Sequence, residues 1–301
     1  MEGVSIILCC YNSARRLPTT LKYLANQRGI EDIALEVIVV DNASTDDTGD
    51  VAIKEWSTLK ATFPLRVIVE HKKGLSSARR RGIAEAKFDT LIFCDDDNWL
   101  EQSYASTAYS VMRDRSIGAA GGIGSPKFET NEPSWFRYVT SFYAVGDQAN
   151  SVLPELNNVR YLYGAGMVVS KEAITALFES GFSNVTSDRV GNTLISGGDT
   201  EICIALQSNG YKIEYSEKLL FRHFIGRDRL TLSYCSRLIV GIGYSSQMLF
   251  NKTRQPPNLA RMLKLGTVLL LPFKKYGNFF EKGRVFLFEL GRFKYHKRHA
   301  R

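Results

Sequence analysis

Several things are missing from this sequence, and each closes off a class of protein. No apolar run approaches the ~20 residues a helix needs to cross a bilayer. No secretory leader is visible either, because Met1-Glu2-Gly3 is not basic and Val4–Cys10 is too short. The five cysteines, Cys9, Cys10, Cys94, Cys203 and Cys235, show no CxxC spacing. They read as small core residues of a reducing compartment, which points to a cytoplasmic protein. Phosphate-cradling signatures are missing too. Cys9-Cys10-Tyr11-Asn12-Ser13 holds no glycine, which removes the GxGxxG dinucleotide fingerprint, and no GxxxxGK[ST] pattern occurs. The glycines of Gly118–Gly124 come too late and read as a tight strand and turn.

What is present is ordinary in bulk and uneven in detail. Hydrophobic residues at 44% and charged residues at 23% suit a soluble globular chain, and 301 residues can bury a core as one large domain or two. Lys252–Arg301 carries 13 Lys and Arg against 2 Asp and Glu, a net of +11. The whole chain is +8, so residues 1–251 stand at −3. Basicity belongs to the C-terminal segment.

Four short apolar runs rich in strand formers stand out: Val4–Cys10, Glu36–Asp41, Leu65–Val69 and Leu91–Cys94. Between them, Leu17, Leu21 and Leu24 recur at helical spacing, Val51, Ile53 and Trp56 mark a second helix, and Gly74–Arg79 opens a third. Strands alternating with helices predict a mainly parallel sheet. The second strand ends on Asp41 and the fourth runs into Asp95-Asp96-Asp97, so the carboxylates gather at the edge where open α/β sheets bind ligands. Three adjacent carboxylates repel one another unless solvent or a cation relieves them. Oxygen ligands suit Mg²⁺ or Mn²⁺, held by one or two carboxylates plus substrate phosphates. The plainer alternative is an acidic turn that caps the next helix.

Ser5–Asn12, Val37–Thr48, Gly74–Arg79 and Phe93–Asn98, in that order, resemble the family 2 glycosyltransferases of the GT-A fold. The resemblance implies an α/β catalytic domain over 1–230. Its Rossmann-like nucleotide-binding half (1–100) is built on a mainly parallel central sheet, and its acceptor half is 101–230. A basic helical extension follows over 231–301. It also implies an inverting transferase that moves a sugar from a nucleotide-diphosphate donor to an acceptor hydroxyl with a divalent metal, Mg²⁺ or Mn²⁺. By the same resemblance Cys10, Tyr11 and Asn12 line the nucleobase pocket, and Asp41 and Arg79 hydrogen-bond the base. Asp95, with Asp96 beside it, faces the ribose, and Asp97 binds the metal. Asp41 and Arg79 fit uracil, so a UDP-sugar is favoured, with GDP and dTDP open. Cys9-Cys10 departs from the commoner Pro-Thr.

On the acceptor side, Gly164, Ala165 and Gly166 match a segment that sits by the donor sugar and acceptor, although such glycines could equally serve close packing. Asp188-Arg189-Val190-Gly191 precedes the family's second acidic motif, usually Glu-Asp, where Gly198 here replaces the Glu. Asp199 keeps the position of the catalytic base, with Glu201 as runner-up, although an Asp at a helix start is also a natural cap. Arg189 and Gly198 join the acceptor-side candidates. Trp135, with Phe136, Tyr138, Phe142 and Tyr143, is either core packing or a sugar-stacking wall. His223 could complete the metal site, although a lone histidine is more often structural.

The processive QxxRW signature is missing, which implies transfer of single sugars, in building a bacterial surface polysaccharide. Leu259–Leu265, Val268–Phe273 and Phe286–Phe293 mix apolar residues with Lys and Arg. They read as a basic amphipathic surface at the inner face of the plasma membrane, suited to a saccharide or lipid-linked saccharide acceptor, or as a packed appendage, or as a dimer contact. No nucleic-acid-binding motif accompanies the charge, so nucleic acid is not expected as a partner. Two rivals remain. A sugar-phosphate nucleotidyltransferase would need a glycine-rich basic loop that Tyr11–Arg16 lacks. A catalytically silent nucleotide-sugar-binding subunit would bind donor without turnover.

Overall fold

The computed structural model describes residues 1–153, 159–184, 186, 188, 193–250 and 276–299. Arg189 and the runs Leu259–Leu265 and Val268–Phe273 lie outside them. The first hundred residues fold as β1 (Val4–Cys10), α1 (Leu17–Ala25), β2 (Leu35–Asp41), α2 (Thr48–Thr58), β3 (Leu65–Val69), α3 (Leu75–Glu85), β4 (Thr90–Cys94) and β5 (Asn98–Leu100). Then come α4 (Tyr104–Val111), β6 (Ile117–Phe128), β7 (Gly146–Asp147), β8 (Val152–Leu153), β9 (Val159–Arg160), β10 (Val168–Ser170), α5 (Lys171–Glu179), α6 (Gly198–Ser208) and β11 (Lys212–Ile225). Among the described residues two long helices follow, α7 (Leu232–Phe250) and α8 (Tyr276–His299).

The main sheet runs β3-β2-β1-β4-β10-β6-β11-β5, with β7 paired to β6. Its first four strands are mutually parallel, while β10 joins β4 antiparallel and β5 joins β11 antiparallel. Successive side chains of β1 serve opposite faces of the sheet. Ile6 and Leu8 pack with Leu17, Leu21 and Leu24 of α1, Ala52 of α2 and Tyr104 of α4. Ile7 packs with Ala78 and Ile83 of α3, Ile174 and Leu177 of α5, and Ile202 and Leu206 of α6. A strand buried on both faces has no polar side to show, which is why β1, β2 and β4 read as largely apolar runs, with the buried Ser5 Oγ of β1 donating to Glu36 Oε1 of β2 at 2.8 Å.

Register then fixes the edge. Cys10 pairs with Asp41 across β1–β2. Leu8 pairs with Cys94 across β1–β4, so Asp95 leaves the sheet on the same side. The glycines of Gly118–Gly124 are strand, not turn. A Cβ on Gly124 would meet the Ala144 carbonyl at 2.5 Å, and one on Gly118 would meet Tyr211 at 2.7 Å.

The chain forms two compact units. One holds Met1–Lys127, Ala144–Asn184 and Asp199–Phe224; the other holds Phe128–Tyr143, Val185–Gly198 and Ile225–Arg301. In the second, α7 and α8 pack side by side. Tyr244 meets Tyr295 edge-on at 5.0 Å, and the Arg292 Nε donates to Gln247 Oε1 at 2.8 Å. The aromatic cluster around Trp135 belongs to this unit's interior. Trp135 is 8% exposed and Phe136 1%, with Phe136 against Phe128, Trp135 and Tyr143. That is the packing reading of the cluster.

Candidate active site

The site is built on the first unit, at the C-terminal edge of β1, β2 and β4. The loops there are stitched together by short polar side chains. Asn12, held at φ 51°, accepts on its Oδ1 from Thr45 N at 2.8 Å, and its own N–H donates to Ser44 Oγ at 3.1 Å. Asp41 Oδ1 accepts from Ser44 N at 3.1 Å. Buried Asn42 donates to the carbonyls of Glu70 and Lys72 and accepts from Gly74 N at 2.7 Å, which ties the ends of β2 and β3 to the start of α3. Tyr11 stands 42% exposed, with the Lys73 ammonium 5.8 Å over its ring. An exposed ring beside a carboxylate and a cation is a serviceable seat for a flat heterocycle.

The three acids after β4 have separate partners. Asp96 is bound by Arg16 at 2.6 Å, and its carbonyl accepts from Thr20 Oγ1 at 2.6 Å, so it pins the start of α1. Burial raises its carboxyl above the usual range and the Asp97 charge adds to this, while Arg16 pulls it back. Asn98, fully buried, organises the turn: its Oδ1 accepts from Asp95 N at 3.2 Å and its Nδ2 donates to Asp97 Oδ1 at 3.2 Å. Opposite Asn98 in the β5–β11 register stands His223. Its Nε2 lies 3.5 Å from Asp97 Oδ1, and Phe224 N donates to the Asp97 carbonyl at 2.8 Å. One carboxylate and one imidazole, both largely shielded, fit a divalent cation that takes its remaining ligands from a phosphate-bearing substrate. Among the described residues no three His, Cys, Asp or Glu side chains converge to hold an ion by themselves.

Asp199 stands at the start of α6. Its Oδ2 accepts from Gly164 N at 2.6 Å and its Oδ1 from Thr200 N at 2.8 Å, which fixes the plane of the carboxylate. Arg79, 7% exposed, lies with its guanidinium 5.3 Å over the Phe93 ring and reaches the same turn: a Cβ on Gly164 would collide with Arg79 Nη2 and sit 3.0 Å from Asp199 Oδ2. The Gly164-Ala165-Gly166 turn thus divides its work. Gly164 offers the amide, Ala165 is buried, and Gly166 takes φ 70° while its carbonyl accepts from the Tyr104 hydroxyl. Glu201 is buried at 6% exposure, whereas Asp199 is half-buried. Burial pushes the Cys9 thiol up to about 12, against the Arg79 charge and with the Asp95 charge, and raises Cys10 and Cys94 likewise, so none supplies a thiolate near neutral pH.

The fold therefore gathers Tyr11, Asn12, Asp41, Asp95, Asp97 and His223 at the sheet edge, and Arg79, Gly164 and Asp199 around one turn. It commits Asp96 to Arg16 and puts Trp135 in the packed interior of the other unit. Sequence reasoning passed over Asn42, Lys73 and Asn98. Asn98 had a signal, since an Asn closing an acidic turn is a side chain suited to bonding its own backbone.

Residues 5–178, more than half of the chain, match the family described as Glycosyl transferase family 2. A cholesterol galactosyltransferase of Borreliella burgdorferi is 32% identical over 151 residues, 50% of this chain and 37% of that protein. Such alignments take in between 19% and 48% of the curated relatives' own lengths. Among solved structures, the mannosyltransferase PcManGT from Pyrobaculum calidifontis, in complex with GDP-Man and Mn²⁺, superposes with a TM-score of 0.65 at 16% identity, covering 99% of this chain and 88% of that one. S. aureus TarS 1-349 in complex with UDP-GlcNAc gives 0.51 at 13% identity, covering 99% and 92%. These likenesses show the GT-A fold. The chain belongs to the family 2 glycosyltransferases.

Proposed function

We propose that the enzyme transfers a single sugar, with inversion, from a nucleotide-diphosphate donor to an acceptor hydroxyl, and that the donor is a UDP-sugar. The observation that carries this reading is the pairing of two differently built acids. Asp97 lies beside an imidazole in a shielded turn, and Asp199 has both oxygens held by backbone amides. Asp199 takes the proton from the acceptor hydroxyl as its oxygen bonds to the anomeric carbon. The bond from that carbon to the diphosphate oxygen breaks, and the electron pair leaves with the nucleoside diphosphate. Such proton transfer is worth ~10²–10⁴ in rate. A divalent cation held by Asp97 and His223 would neutralise charge that develops on the leaving diphosphate. Tyr11, Asn12 and Asp41 hold the base, with Cys10 lending only backbone at the strand end, and Asp95 holds the ribose. Arg79 guards the turn between donor and acceptor.

Uracil is favoured by the family resemblance at Asp41, whereas Arg79, expected to share the base, lies instead against the Gly164 turn. The likeness to structures holding GDP-Man and UDP-GlcNAc supports a nucleotide-sugar donor and leaves the choice of base to experiment. The acceptor is read as a saccharide or lipid-linked saccharide of a cell-surface polysaccharide.

Thermal unfolding with Mn²⁺ and each of UDP, GDP, dTDP and CDP tests the donor. UDP with Mn²⁺ should raise Tm, by the ~2.7 kcal/mol of stabilisation that a ligand at 100 times its Kd supplies. Asp199→Asn should keep that rise and lose turnover by ~10²-fold or more. A rise with another base only would reassign the donor. Equal loss of binding and turnover in Asp199→Asn would make Asp199 a binding residue.

A further inference from the structure

Gly198 has no room for a side chain, and the reason is Asp188. Asp188 is 3% exposed and sits at φ 51°, in the left-handed region that few non-glycine residues enter and that Asp tolerates better than most. Its Oδ1 accepts from Gly197 N at 3.2 Å and from Gly198 N at 2.8 Å. Amides at a helix start have no partner within the helix, so a carboxylate placed there satisfies them and faces the positive end of the helix. A Cβ built on Gly198 would run into Asp188 Oδ2 and lie 2.8 Å from its Cγ. Gly197, at φ 147°, completes the wrap. A Cβ there would lie 3.3 Å from the buried Thr186. The two glycines let the backbone close around Asp188, and one peptide bond later comes Asp199.

We propose that Asp188 is the positioning residue for Asp199: a carboxylate from a separate loop that seats the first residue of α6 and so sets where the next side chain stands. The acid that family 2 enzymes usually carry immediately before the base is glycine in this chain, and the Asp188 carboxylate fills the space such a side chain would leave from. The proposal rests on the reading of Asp199 as the base.

Four variants of the full chain test it: Asp188→Asn, Asp188→Ala, Gly198→Ala and the Asp188→Ala/Gly198→Ala double. Turnover is followed as UDP released from a UDP-sugar in the presence of Mn²⁺. It is normalised to sites counted by calorimetric UDP binding, so that misfolded protein does not enter kcat. Because a displacement of ~1 Å can cost ~10²-fold, Asp188→Ala should lower kcat ~10- to 100-fold with donor KM within about twofold. Asp188→Asn, which keeps the accepting oxygen, should stay within about fivefold of the parent. Gly198→Ala should cost as much as Asp188→Ala, yet add no more than about twofold once Asp188 is already Ala, because residues in contact are not additive.

Hydrogen exchange at the amides of 197 and 198 should quicken in Asp188→Ala and not in Asp188→Asn. The proposal is overturned by an unchanged kcat in Asp188→Ala, by Asn and Ala variants that fall alike, by multiplying losses in the double variant, or by unchanged exchange. Should Asp199→Asn itself turn over at the parent rate, the base reading falls instead, and that result is separate from all of these.

Discussion

At the scale of single residues, the catalytic reading turns on how little space surrounds one carboxylate. Gly164 N donates to Asp199 Oδ2 at 2.6 Å while the Arg79 guanidinium covers the glycine's open side. Gly164→Ala brings a methyl group against Arg79 Nη2 and Asp199 Oδ2, both at the ends of side chains that can yield. The fold should survive and the carboxylate should turn. The expected outcome is a kcat ~10- to 100-fold lower with a melting temperature within a few degrees of the parent. Full turnover in Gly164→Ala, measured with the same UDP-release assay, would mean that the turn does not hold the base. The glycines of this segment were visible in the sequence, but not their division of labour. Gly166 serves backbone conformation at φ 70° and Gly164 serves clearance, and a one-letter code writes the two alike. Asp96 shows the opposite difficulty. Three consecutive aspartates look equivalent in sequence, and only the approach of Arg16, the residue before α1, separates a fold-pinning acid from its neighbours.

At the scale of elements, what could be read ahead was what burial writes into consecutive residues. β1, β2 and β4 are covered on both faces, so they appear as apolar runs, and the carboxylates that end β2 and follow β4 show which edge they share. β5 is three residues long and β10 is three, too short to carry a period. The meeting of Asp97 with His223 depends on β5 pairing with β11, a contact across more than a hundred residues that no local pattern announces. Asn98 holds this junction. Asn98→Ala removes the Oδ1 that accepts from Asp95 N and the Nδ2 that donates to Asp97 Oδ1 in a largely shielded turn. A buried donor left unsatisfied costs ~1–3 kcal/mol, so the urea midpoint should fall accordingly, and the Mn²⁺-dependent rise in Tm with UDP should shrink. A variant that loses stability but keeps the full Mn²⁺ effect would show that Asn98 supports the fold and not the ion.

At the scale of the whole molecule, charge is the feature with no role yet in the chemistry. Lys252–Arg301 carries a net +11 in a chain whose other residues sum to −3. Not all of this charge is available to a partner. Arg292 is 9% exposed and bonded to Gln247, and Arg284 Nη1 donates to the Tyr138 carbonyl at 2.8 Å. No helix among the described residues is long and apolar enough to cross a membrane. The net +11 of this segment suits attachment by charge, and we propose that it holds the enzyme against an anionic bilayer where a lipid-linked acceptor would be presented. Each Lys or Arg near such a surface contributes ~1 kcal/mol, and the attraction is screened within a Debye length of ~8 Å at physiological salt. The full chain should therefore co-sediment with phosphatidylglycerol-containing vesicles at 0.05 M NaCl, release at 0.5 M, and ignore pure phosphatidylcholine; ~8 effective cations would be needed for micromolar binding, which corresponds to ~8 kcal/mol. Equal binding to neutral vesicles would point instead to apolar insertion. No binding to either, together with a doubled mass in light scattering, would assign the C-terminal helices to a contact between two copies of the chain. The three outcomes separate because only attachment by charge requires both an anionic lipid and low salt.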